Sequence, residues 1–316
     1  MLKRIVVTNY RGESMDYYIK NCQSNPDNLP NWKPPETSGM IITSIDGLGP
    51  VKANINMTEL TTTDGSKYNS ARLTNRNIVI KGYFASASSI ENARLLSYKY
   101  FPIKKKVTIR VETDNRTVET DGYVESNEPD IFSKQSGVQI SIVCEKSFFR
   151  DVSADGRQLI QFSNILPLFE FEFGLDIGEE IEFGDIEVQR ESVILYSGDV
   201  ETGFKLNIRC MGDVENVIIM NDLTGEMLKL NTNKLFPIAG TASFIDGDEI
   251  VINTHQGEKS VYLYRSGHIY NIINLLDKNP TWFVLQPGEN LFSYTATTGV
   301  MDIRFSLDVQ NNFEGV

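Results

Sequence analysis

Between residues 75 and 113 the sequence reads as a strand, one amphipathic helix and a second strand, while most of the chain around it alternates like β-structure. This stretch restricts the fold more than any other. Residues 79–84 and 107–111 carry the β-branched and aromatic side chains that suit a pleated, half-buried surface. Ser88 followed by Glu91 has capping-box spacing, in which the hydroxyl satisfies an orphan N–H and the carboxylate reaches back to the cap. Ile90, Ala93, Leu96, Tyr100 and Phe101 fall on one side of the predicted helix, with Asn92 and Lys99 opposite, and Pro102 stops it. A single helix of this kind must bury its apolar side against a sheet.

Residues 3–9 and 40–45 before the helix read as strands, as do 117–125 and 137–144 after it; 15–22 reads as a second strand or the start of a loop, and 68–73 leads into the 75–113 stretch. Asp46-Gly47 and Asp64-Gly65 are turn dipeptides, and the Pro- and Asn-rich stretch 23–38 is a loop. Val51, Ala53, Ile55 and Met57 alternate with Lys52, Asn54, Asn56 and Thr58, which predicts one buried face and one wet face. Regular turn signals around one helix predict a β-sandwich or barrel with one packed α-helix.

The chain has 316 residues, enough for about two domains. Residues 1–150 carry 20 Lys+Arg against 16 Asp+Glu, a formal +4, whereas residues 151–316 carry 10 against 26, a formal −16. That shift places a domain boundary near residue 150 and argues against nucleic acid as the main partner, because phosphate binding needs a basic face. The acidic half also reads as all-β, with strands at 158–162, 168–173, 186–195, 204–211, 214–220, 249–253, 260–264 and 291–295. Only 269–276 has helical spacing there. This pattern predicts a two-sheet jelly roll or lectin-like sandwich over 151–316.

At 41% hydrophobic and 23% charged, the composition is that of an ordinary globular protein. No apolar run approaches the roughly 20 residues that a membrane-crossing helix needs. The apolar run at 5–7 is too short for a signal-peptide core, so a reducing cytosol is expected. Cys22, Cys144 and Cys210 are odd in number and far apart, which predicts buried free thiols and no metal site.

Motifs for chemistry are missing. His255 and His268 lie in no metal motif, no G-x-S-x-G turn occurs, and no phosphate loop or dinucleotide fingerprint is present. Asp246-Gly-Asp248 and Asp64-Gly65 lack the calcium-loop pattern and read as turns. Glu179, Glu180, Glu182, Asp185 and Glu187 crowd one segment, but alternation with Ile181, Phe183 and Ile186 predicts a solvated strand face. The one basic cluster is Lys104, Lys105 and Lys106, readable as a polyanion site or as lysines that blunt a strand edge or face an acidic neighbour. Trp32 and Trp282 could stack on sugar, though such residues more often serve a core or interface. No catalytic, cofactor-binding or metal-binding residue is assigned, and a glycan hydrolase using carboxylates of the acidic half is the weakest reading.

Several segments, in order, resemble the distal tail protein family of long-tailed phages infecting Gram-positive hosts. They are ITSIDGLGPVKA at 42–53, DGS at 64–66, NSAR at 69–72, NRNIVI at 75–80, IENAR at 90–94, YFP at 100–102, GYVES at 122–126 and QISIVC at 139–144. The second half adds GFKL at 203–206, INT at 252–254, GEKSV at 257–261 and WFVLQPGEN at 282–290. The resemblance implies a tail-tube-like, ring-forming domain over 1–150, a β-sandwich or barrel with one helix, and a galectin-like β-sandwich over 151–316. It implies a structural, non-enzymatic hub: a hexameric ring in the virion tail, assembled in the bacterial cytoplasm. That ring joins the tail tube to a tail-associated protein and to receptor-binding proteins, with no cofactor and no membrane. The chain has no room for the carbohydrate-binding insertions of longer relatives. On this reading Arg76, Lys104, Lys105 and Lys106 are expected on an inter-subunit or lumen surface. The alternative is a carbohydrate-binding adhesion protein acting through the lectin-like half, with Trp282 as the glycan contact.

Overall fold

The computed structural model describes residues 2–19, 38–59, 61, 64–85, 89–132, 136–153, 156–162, 165–167, 186–188, 191–277 and 280–316. Cys22, Trp32, nearly all of the 23–38 loop, Ser88, the expected strand at 168–173 and Glu179, Glu180, Glu182 and Asp185 lie outside these residues. The chain forms two units: Met1–Gly156 together with Asn312–Val316, and Arg157–Asn311. The chain first passes from one unit to the other at Gly156/Arg157, whereas the charge asymmetry puts a boundary near residue 150. It gives no hint that the last five residues return to the first unit, because five residues carry too little charge to register.

The first unit contains β1 (Leu2–Thr8), β2 (Ser14–Ile19), β3 (Met40–Asp46), β4 (Ala53–Glu59), β5 (Ser66–Leu73) and β6 (Arg76–Phe84). Helix α1 (Ile90–Tyr100) follows, then β7 (Lys106–Thr113), β8 (Thr117–Pro129), β9 (Gly137–Cys144) and β10 (Phe149–Asp151). Strands pair in the order β8–β7–β1–β2–β3–β6–β9, and β9 pairs back onto β8, so seven strands close into a barrel. Closure depends on β8, whose thirteen residues are long enough to hold β7 along one edge and β10 then β9 along the other. A bulge between Val124 and Ser126 bends it round, as bulges do at barrel corners. Alternation then aims Ile5, Val7, Ile78, Ile80, Ile140 and Ile142 into a sealed core. The C-terminal strand Asn312–Phe313 extends the sheet beside β10, pairing Phe149 with Phe313.

Helix α1 closes the end of the barrel where β3 begins. Ser89 caps it, its Oγ accepting from the Glu91 amide at 3.1 Å. Ala93 lies so close to Gly39 that a Cβ on that glycine would fall 2.6 Å from the alanine methyl, and Gly39 also needs φ +66°. Ser97 and Tyr100 are buried, Phe101 packs on Tyr17 with ring centroids 5.4 Å apart, and Asn9 Nδ2 donates to the Lys99 carbonyl. The expected buried side holds except at Ile90, which is 36% exposed in the first turn. The outer side is less polar than its sequence pattern suggests: Leu95 and Tyr98 are 58% and 42% exposed.

The second unit is a two-sheet sandwich. Strands β11 (Arg157–Phe162), β12 (Ile165–Pro167), β13 (Ile186–Val188), β14 (Glu191–Tyr196), β15 (Lys205–Cys210), β16 (Ile218–Asn221) and β17 (Glu226–Lys229) come first. They are followed by β18 (Glu249–Asn253), β19 (Ser260–Arg265), β20 (His268–Asn271), β21 (Gly288–Thr295) and β22 (Ile303–Gln310). A six-stranded sheet, β11–β22–β15–β18–β19–β20, shares its core with a four-stranded sheet, β14–β21–β16–β17. Phe204 anchors that core against Phe283 and Phe292, with centroids 5.5 and 5.4 Å away. Residues 269–276 are not a helix: β20 ends at Asn271 and a single 3-10 turn, Ile273–Leu275, follows. Pairing of β20 with β19 outweighs the local spacing, the usual tertiary override of a weak propensity. Cys144 and Cys210 are buried free thiols, and burial pushes Cys210 up to about 12, so it stays protonated.

Candidate functional site

The β4–β5 hairpin stands apart from the barrel, and all fifteen of its strand residues are exposed. Its register is Ala53 opposite Leu73, Ile55 opposite Ala71, Met57 opposite Tyr68 and Glu59 opposite Ser66. Opposed residues of an antiparallel pair share a face, so these eight form one side, apolar but for Glu59 and Ser66 at its far end. Asn54 with Arg72, Asn56 with Ser70 and Thr58 with Lys67 form the other side. A bulge at Asn56/Met57 keeps the two sides in phase, and Asn69 Nδ2 donates to Thr58 Oγ1 at 2.6 Å beside it. The predicted alternation is therefore present, but the face expected to be buried is not: Ile55, Met57 and Tyr68 are 52%, 54% and 58% exposed. An isolated two-stranded ribbon is at best marginally stable in water. An exposed apolar face on such a ribbon makes it the candidate contact surface of the first unit.

Arg76 holds the base of the hairpin. It was expected on a subunit or lumen surface, and it is instead 1% exposed. Its Nη1 donates to the carbonyls of Gly47 and Gly49, its Nε and Nη2 to Ser147, and its Nη2 also to Glu314 at 2.6 Å. The guanidinium lies 4.1 Å from the Phe149 ring centroid. All five N–H donors are thus used on backbone carbonyls, with no carboxylate among the partners. Burial lowers its pKa, yet an arginine remains charged under any physiological condition. The cation joins the turn entering the hairpin, the start of β6, the β9–β10 loop and the returning C-terminal residues. Gly47 makes room for this arrangement: at φ +89°, any Cβ would lie 2.0 Å from the Asn77 carbonyl oxygen. Arg116 adds a second tie, donating to Gly315 and lying 4.1 Å from the Phe313 ring, while the Val316 amide donates to Leu48. Sequence alone marked Arg76 as basic; only the fold reveals four carbonyls converging on it.

All three lysines of the cluster are exposed, and two of them have partners on their own barrel. Lys104 adopts φ +63° in the turn after α1 and is exposed, Lys105 lies 5.6 Å from the Tyr10 ring, and Lys106 pairs with Asp121 at 3.1 Å. Asp121 also accepts from Arg150 at 2.8 Å and from Thr108 at 2.6 Å, and Glu119 bridges Arg110 and Arg150. Burial raises the Asp121 pKa, but hydrogen bonds from Arg150, Thr108 and Lys106 outweigh it and hold the carboxyl well below the usual range. A depressed carboxylate stabilises the fold above its unfolded pKa near 4, and that contribution is lost as pH falls through the folded value. Asp121→Asn is expected to cost the first unit about 1–2 kcal/mol at neutral pH and to flatten its stability loss below about pH 4. Urea unfolding followed from pH 7 to pH 2 measures both effects.

In the second unit Trp282 is half-buried against the core, and the Lys259 ammonium lies 5.6 Å from its ring centroid. Arg265 is nearly buried and forks onto Asp248, donating also to Thr241 and to the carbonyls of Ala239 and Ser243. Both arrangements hold loops to the sandwich. Among the described residues no group of three or more His, Cys, Asp or Glu converges as a metal site would.

No protein-family model and no curated protein matches the sequence. Solved structures do. The SPP1 Dit (gp 19.1) protein, described as a paradigm of the hub adsorption apparatus in phages infecting Gram-positive bacteria, is similar at 9% identity and a TM-score of 0.61, over 98% of this chain and 99% of that one. Chains of the phage P2 baseplate in its activated conformation are similar at lower scores. The form with calcium has 12% identity and a TM-score of 0.44, covering 99% of each chain. The form with strontium has 11% identity and a TM-score of 0.42, covering 98% of this chain and 99% of that one. Over nearly its whole length, both units included, this chain has the fold of the SPP1 hub protein Dit.

Proposed function

We propose that the chain is a structural hub protein of a phage tail tip, assembled as a ring of identical subunits at the distal end of the tail tube. The observation that carries this is the β4–β5 hairpin, an amphipathic ribbon whose apolar face is left exposed among the described residues. Burying one such face per subunit on a different surface of the next gives a heterologous contact, which closes into a ring when the rotation allows. A hub carries no chemistry of its own; its task is to present one set of surfaces to the tube and another to the tail-tip proteins. The fold shared with a phage hub protein supports this role, as does the ordered resemblance of the first 150 residues to distal tail proteins. Six subunits, a tube on one side, and a tail-associated protein with receptor-binding proteins on the other are the arrangement that the resemblance implies.

Gold-labelled antibody against this chain tests the placement on tailed particles from cells that make it. Label confined to the tail end distal to the capsid is the expected result. Label on capsids, or intact tailed particles without label, would show that the chain is not a tail hub.

A further inference from the structure

The hairpin needs a receiving surface, and the first unit offers one on α1. Leu95 and Tyr98 lie three residues apart and so share the outer side of the helix, exposed at 58% and 42%. Arg94 stands beside them, one turn before Tyr98. It is partly buried, its sheltered Nε has no hydrogen-bond partner, and it forms no ion pair among the described residues. A sheltered guanidinium N–H without an acceptor is uncommon, because desolvating a charged donor is costly. On the hairpin, Glu59 ends the apolar row formed by Ala53, Ile55 and Met57, and it too forms no ion pair among the described residues. One surface therefore ends in a carboxylate and the other is flanked by a guanidinium whose Nε lacks an acceptor, with neither group in an ion pair among the described residues.

We propose that the apolar face of the β4–β5 hairpin seats on the outer side of α1 of the next copy of this chain, with Met57 and Tyr68 against Leu95 and Tyr98 and the Glu59 carboxylate on Arg94. The proposal rests on the ring reading and specifies its contact. The hairpin leaves the barrel at the end of β3, whereas α1 closes the end where β3 begins, so the contact joins opposite ends of two copies. A ribbon of seven to eight residues spans about 25 Å at ~3.3 Å per residue, the length of the barrel's own strands, so it can lie along a neighbour from one end to the other. Tyr68 and Tyr98 add large, stiff apolar surface at low entropic cost, as contact tyrosines do.

Charge exchange on the full chain tests the pairing. Glu59→Arg and Arg94→Glu are each expected to weaken assembly at least tenfold in sedimentation velocity, and the two together to restore most of it. A second readout mixes Met57→Cys chains with Leu95→Cys chains and adds a short bismaleimide. A covalent dimer forming only in the mixture, and not with either chain alone, is expected. If wild type assembles but both single charge variants assemble equally well and no mixed dimer forms, this contact is wrong while the ring reading stands. If wild type is monomeric at every concentration, both fail together.

Discussion

Ile55→Asp combined with Met57→Asp is expected to leave the chain folded and to abolish its assembly. In the single chain both side chains are about half exposed, so their replacement should shift the unfolding free energy by only about 0.5 kcal/mol. In the assembly the exposed half of each would be buried, at roughly 0.8–1.5 kcal/mol apiece in lost transfer energy, to which the cost of desolvating two carboxylates adds several kcal/mol. The combined loss corresponds to a weakening of about 100- to 10,000-fold per contact. Sedimentation velocity on matched wild-type and variant samples measures the association, and thermal unfolding checks the fold. A variant that unfolds like wild type yet still assembles like it would remove the hairpin from the interface.

Arg76→Met is expected to be the most damaging single substitution in the first unit. It removes five hydrogen bonds at once from the carbonyls of Gly47, Gly49, Ser147 and Glu314, which converge on a guanidinium only 1% exposed although Gly47, Gly49 and Glu314 are themselves at the surface. Leaving a buried acceptor unsatisfied costs about 1–3 kcal/mol, and such costs do not add fully, so a total near 3–5 kcal/mol is expected. Arg76→Lys should recover only part, because an ammonium has three donors and cannot fork between four carbonyls. The loss should be local. Hydrogen exchange should accelerate at the Thr74 and Val316 amides, which donate to Lys52 and Leu48, while β18 of the second unit keeps its protection. A loss below about 1 kcal/mol would mean that water replaces the guanidinium and that the clamp is dispensable.

The two residue patterns behind these predictions differ in how far sequence reveals them. The hairpin is written plainly: Asp64-Gly65 sits between Ala53, Ile55 and Met57 on one strand and Tyr68, Ala71 and Leu73 on the other. Alternation reports that a strand has an apolar side; whether its own chain covers that side depends on residues far away in sequence. The barrel and its helix follow from local signals, apart from a cap one residue later at Ser89 and the length of β8. Arg76 is the opposite case. Its partners are backbone carbonyls from residues 27 to 238 positions distant, and a carbonyl has no signature in a sequence. The same holds for the C-terminal strand: two residues paired with β10 carry no periodicity to read. Lys106 was legible only as a charge, since its partner Asp121 comes into reach through the pairing of β7 with β8.

Electron microscopy of the purified full chain, at concentrations from one to one hundred micromolar, tests the central claim most directly. Closed rings of six subunits around a central channel, lost in the Ile55→Asp, Met57→Asp variant, are the predicted result. A monodisperse monomer across that range, or a two-fold dimer joined through the second unit with the hairpin still exposed, would contradict it.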